Sequence, residues 1–216
     1  MSGLVYGVGI NDANYNIEKD LVLISELTGK KIRKKIWACP FYKTWARMLE
    51  RCYSEKFHET RNTYKGCAVC EDWKTFSNFK KWMEQQDWTG KQLDKDLLIP
   101  GNKIYSPETC VFVDKAINLF MTDCKASRGK FPIGVAFVTR DKVFQASCSN
   151  PLAKKKDYLG TFDCPIKAHL AWRKRKHEIA CMLADMQKDE RIASALRKRY
   201  LPMPEQTKQE SAGHEQ

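Results

Sequence analysis

The chain has 216 residues, 43% of them hydrophobic, and a formal charge of +12 at pH 7, which is enough apolar material for one large domain or two small ones, and two are expected. No apolar run approaches the roughly 18–20 residues of a membrane span, and the opening MSGLVYGVGINDANYN lacks the basic start and apolar stretch of a secretory signal. A cytosolic protein with no membrane partner is expected, and its nine cysteines should therefore be reduced thiols.

The charge is concentrated in one stretch. Residues 125–200 hold 18 Lys and Arg against 7 Asp and Glu, a surplus of 11. A surplus of this size suits a phosphate-binding surface, because each neutralised phosphate releases condensed counterions. A basic face kept for solubility, or attraction to anionic lipid, are the competing explanations.

In chain order, residues 1–35 show no sustained period and end in the basic run Gly29–Lys35, and an amino-terminal arm is expected over 1–39. After Pro40, the positions Phe41, Trp45, Met48, Leu49 and Cys52 recur at helical spacing, with Arg47, Glu50 and Arg51 on the other face. A second amphipathic helix is expected from near Thr75, carrying Phe76, Phe79, Trp82 and Met83 and ending before Gly90. Both aromatic stripes read as core.

Cys67 and Cys70 form a C-x-x-C pair, but no second pair follows at zinc-ribbon or finger spacing. Only folding can bring Cys52, His58 or Cys110 to them, so zinc is not expected. Residues 92–98 read as a strand, 99–103 as a loop, Val111–Val113 as a short strand and 114–121 as a helix. This strand, loop, strand, helix order would bring Asp94 and Asp96 near Asn118. In a regular strand Asp94 and Asp96 share a face and Lys95 points the other way.

The succession LDKD, GNK, PETC, VFV and Asn118 resembles the ββα-metal motif of the His-Asn-His homing endonucleases common in phages, across residues 40–122. The resemblance implies a Mg²⁺-like cation held by Asp94 and Asn118, with Asp96 a rival ligand, since hard oxygen donors suit that ion. It also puts Lys95 where that family has its general-base histidine. A lysine with an ordinary pKa near ~10.4 has no lone pair for this task at pH 7. Lys95 is then either a functional substitute with a strongly lowered pKa or a partner for a neighbouring carboxylate.

In the basic stretch, strands are expected at 134–139, 143–148 and 158–162, and a long helix after Asp163 and Pro165. On the middle strand Phe144, Ala146 and Cys148 share the face toward the helix, which leaves Gln145 and Ser147 on an open face. GV, F-x-A, YLGTFDCP and A-x-x-A-W across residues 132–183 resemble the plant APETALA/ethylene-response DNA-binding domain, which also occurs in phage homing endonucleases. That resemblance implies duplex-DNA contacts by Arg140, Lys142, Gln145, Ser147, Lys156 and Tyr158, and the basic loop adds Lys154.

The expected fold is therefore α+β. An arm (1–39) precedes a ββα-metal-like module with a helical lead-in (40–124), then a three-stranded antiparallel sheet packed on one long helix (125–200), and a polar tail (201–216) expected to be disordered. The expected function is double-stranded-DNA binding in the phage homing-endonuclease-like class, with divalent-metal-dependent cleavage of DNA as one reading. The alternative is a non-enzymatic, sequence-specific DNA-binding regulator on a degraded scaffold. RNA is a poorer match for such a sheet, because A-form grooves do not admit it in the same way.

Overall fold

The first 39 residues depart from expectation. Glu18–Ile24 (β1) and Lys31–Ala38 (β2) form an antiparallel hairpin, exposed on both faces except at Ala38. With no buried side to enforce alternation, the hairpin leaves little period in the sequence. The residues before it are no free arm either. Val5, Val8, Ala13 and Ile17 pack against the core, and Ile10 N donates to Lys74 O at 2.8 Å. A Cβ on Gly9 would come within 2.4 Å of Leu49, so the chain passes Leu49 closer than any larger residue allows.

A computed structural model describes residues 3–25, 28–122 and 129–201, a mixed α+β chain that divides into two units, Met1–Met121 and Thr122–Gln216. In the first unit α1 (Pro40–Tyr53) opens on its proline and buries Trp45, Met48, Leu49 and Cys52. A short helix absent from the sequence expectation, α2 (Glu55–Thr60), follows, capped by Ser54, whose Oγ accepts from Phe57 N at 3.2 Å. The strand β3 (Ala68–Val69) precedes α3 (Phe76–Glu84), which buries Phe76, Phe79 and Met83 and packs on α1. Trp45 and Phe76 rings meet at 5.5 Å, and the buried Trp45 indole N–H donates to Trp73 O at 2.7 Å, as a buried indole requires. These stripes are core, as their spacing predicts.

Next come β4 (Gln92–Asp94), β5 (Ile104–Tyr105), β6 (Val111–Val113) and α4 (Lys115–Met121). β4 pairs antiparallel with β6, and β3 pairs parallel with β5. The strand expected over 92–98 is thus only three residues long, because Asp94 folds the chain away: its Oδ1 accepts from the backbone N–H groups of Asp96 at 2.9 Å and Leu97 at 2.7 Å.

In the second unit β7 (Val135–Val138), β8 (Val143–Asn150) and β9 (Lys155–Phe162) form an antiparallel sheet in that order. The helix α5 (Pro165–Asp185) covers one face with Ala168, Trp172, Ile179, Ala180 and Leu183, against Ala146 and Cys148 of β8, both fully buried. The one long helix expected in this unit is two helices. α5 stops at Asp185, and Asp189 caps a separate α6 (Glu190–Arg199) by accepting from Arg191 N at 2.9 Å. α6 packs on α5 through Ile192, Ala193 and Leu196. The tail expected over residues 201–216 lies, apart from Leu201, outside the described residues.

Candidate nucleic-acid interface and carboxylate site

The uncovered face of the second unit is fixed by strand register. Gln145 lies between Ala136 of β7 and Thr161 of β9, Ser147 opposite Tyr158, and Ser149 opposite Lys156. This alignment depends on a bulge. Ala146 faces Gly160 but Ser147 faces Tyr158, so Leu159 is the extra residue on β9, and Gly160 beside it adopts φ +109°. The bulge brings Tyr158 and Lys156 to the same face as Gln145 and Ser147, and turns Asp157 toward α5. There Asp157 Oδ2 accepts from Asn150 Nδ2 and from Arg175 Nε, each at 2.9 Å. The Asn150 amide, with the guanidinium, holds the Asp157 carboxyl below the ordinary range.

Both turns of this sheet are basic. Arg140 and Lys142 occupy the β7–β8 turn, and Lys154 the β8–β9 turn at the other end of β8. Lys142 and Lys154 adopt positive φ, 53° and 52°, so both turns are tight. Arg140 is engaged by Asp141, Nε to Oδ1 at 2.8 Å. Among the described residues no carboxylate lies within ion-pair distance of Lys142, Lys154, Lys155 or Lys156. On the helices Lys167, Arg175, Arg191 and Arg197 each face an acidic partner, while Arg173 donates to the Leu201 carbonyl instead. Tyr158 is 63% exposed. The face thus presents uncharged hydrogen-bonding side chains in its middle and ammonium groups without acidic partners at its rim. Three strands about 4.8 Å apart span about 10 Å, inside the ~12 Å width of a B-form major groove. Ser149 and Thr161, absent from the sequence expectation, belong to this face. Continuing the alternation of β8 past Cys148 would have found Ser149.

The second cluster surrounds the β4 end. Lys95 does not point away from the carboxylates. It is 7% exposed, and its Nζ donates to Asp96 Oδ2 at 3.1 Å and to Asn102 O at 2.8 Å. Asn102 Nδ2 returns a bond to Lys95 O at 2.6 Å, so this lysine clasps the loop that joins β4 to β5. Strand alternation fails here because β4 ends one residue earlier. Burial pushes the Asp94 carboxyl above its usual range, and the neighbouring Asp96 adds to the effect. Asn118 Nδ2 donates to Gln92 Oε1 at 2.9 Å, two residues before Asp94 on β4.

A scan against protein-family models, a search of curated proteins and a search of solved structures each found no match.

The cysteines near Cys67 are thiols of the core. Cys52, Cys67 and Cys110 are buried, and burial pushes the thiols of Cys52 and Cys110 up to about 12, against the deprotonation that metal binding needs. His58 Nε2 lies 2.8 Å from Arg51 O. Among the described residues no three His, Cys, Asp or Glu side chains are grouped to hold a metal ion. Asp94 and Asp96 with an asparagine amide are the oxygen donors a hard cation takes, yet the Lys95 ammonium already supplies positive charge to Asp96.

Proposed function

We propose that this protein binds double-stranded DNA by docking the open face of β7–β9 in the major groove, as a sequence-specific DNA-binding regulator. One observation carries the reading. Lys142 and Lys154 at the sheet's two ends and Lys156 on β9 have no acidic partner among the described residues, and they frame the open face whose centre is Gln145, Ser147 and Tyr158. Phosphate contacts at the rim would set orientation, and amide and hydroxyl groups in the middle would read base edges.

Lys142, Lys154 and Lys156 replaced together by Ala should weaken duplex binding at all sequences and flatten the dependence of log affinity on log salt by about 0.9 for each phosphate left without its cation. An unchanged slope contradicts the proposal.

Cleavage is a second reading, supported by the Asp94 and Asp96 carboxyls at the end of β4. A divalent cation bound there would lower the pKa of water and polarise a phosphodiester. The residues themselves provide two carboxylates and an amide to bind and orient, but no evident group to take a proton. The bonds of Lys95 to Asp96 and Asn102 suit a structural role for that lysine. The native chain should therefore cut DNA slowly or not at all in Mg²⁺, and Lys95→His should raise cleavage by about 10²–10⁴-fold if the cation is held. Rapid nicking by the native chain, abolished by both Asp94→Ala and Asn118→Ala, would instead make it an endonuclease.

A further inference from the structure

The first unit contains a cleft that neither the sheet face nor the β4 carboxylates account for. It has a volume of about 440 Å³ and is lined by Arg47, Glu50 and Arg51 of α1 together with Phe57, Arg61 and Tyr64, within the roughly 300–1,000 Å³ of small-ligand sites. Its walls are fixed. Phe57 and Tyr64 rings meet edge to face at 5.5 Å and 71°, and the bond between His58 and Arg51 O ties α2 to the end of α1. The Arg51 guanidinium lies 5.6 Å from the Tyr64 ring centre. Lys103 Nζ reaches Thr63 O at 2.6 Å, adding a cation beside the wall.

Among the described residues none of Arg47, Arg51 and Arg61 forms an ion pair. Glu50 is the single acidic group in the lining, and it acts on the Tyr6 phenol, which it shifts upward in addition to the effect of burial. Three guanidinium groups against one carboxylate in the lining favour an anion that accepts several N–H bonds at once, and phosphate does so in bidentate fashion. The two rings add an apolar, π-faced wall of the kind on which nucleobases stack.

We propose that this cleft is a nucleotide subsite, holding one phosphate of a nucleic-acid strand on the arginines and its base against Tyr64. The choice of ligand rests on the nucleic-acid reading above, but the site is separate from the sheet face. Spread over α1 and the segment after it, the subsite would grip a strand locally, in a sequence-tolerant way.

The test uses the full chain and a fluorescently labelled, 5′-phosphorylated thymidine dinucleotide, too short to engage a groove-reading surface. Arg47→Gln with Arg61→Gln, both exposed positions, should weaken its binding by about tenfold or more, and Tyr64→Leu should weaken it as well. Lys156→Ala with Tyr158→Ala should leave it unchanged. Dinucleotide binding abolished only in the sheet variant overturns the subsite and leaves the groove-docking proposal standing. No binding by the native chain at millimolar dinucleotide overturns it too. Equal competition by inorganic phosphate, with Tyr64→Leu binding like the native chain, overturns the assignment of a nucleotide and leaves a phosphate site. Duplex binding unaffected by the sheet variant would count against groove docking alone.

Discussion

Two glycines with almost the same backbone separate strain from crowding. Gly134 has φ +83° and a Cβ there would lie 2.1 Å from Trp172, while Gly101 has φ +80° and open space around it. Gly101→Ala costs only the left-handed conformation, about 1–2 kcal/mol. Gly134→Ala also pushes a buried indole off its seat, which raises the total to roughly 2–5 kcal/mol. Denaturant midpoints of the two variants should therefore differ clearly, and equal losses would mean that Trp172 moves aside freely. Trp172 is pinned by His169, stacked on it at 5.3 Å, whose Nδ1 lies 2.9 Å from Ile133 O. Lys95 shows the limits of reading single residues from sequence. Its burial could not be foreseen from strand alternation, because the backbone bonds to Asp94 that end β4 belong to a turn, and a turn has no period to read.

At the scale of elements, the sheet makes a division of labour testable. Gln145→Ala with Ser147→Ala removes hydrogen-bonding groups but no charge, so duplex preference should relax while the salt slope stays as it was. Binding measured against a panel of related sequences checks this, and an unchanged preference would move base reading away from β8. The helices α1 and α3 and the strands β8 and β9 were legible because each turns one side inward, and burial writes a period of 3.6 or 2 into the sequence. The β1–β2 hairpin was not legible for the opposite reason. Leu21, Leu23 and Ile32 are exposed along with Lys31, Arg33 and Lys34, so neither face excludes charge. The break between α5 and α6 was hidden as well, because Ile192 and Leu196 continue an apolar pattern that only the Asp189 cap interrupts. On β8 the alternation identified Gln145 and Ser147 correctly as sharing a face away from Ala146 and Cys148. Their match to Tyr158 and Lys156 depends on the bulge at Leu159, a feature of pairing that one strand alone does not encode.

At the scale of the whole molecule, the two units carry different cores. The first is aromatic and built around Trp45, Trp73, Phe76 and Phe79, and the second closes a sheet with Trp172, Ile179 and Leu183. The charge surplus of residues 125–200 belongs to the second, so groove docking should belong to it also. The most direct measurement is duplex-DNA affinity against salt for two fragments, one ending at Met121 and one beginning at Thr122. The fragment from Thr122 should reproduce the steep salt dependence of the full chain, with the amino-terminal fragment binding duplex only weakly. Equal duplex affinity for both fragments, or a salt slope that follows the fragment ending at Met121, would contradict the account.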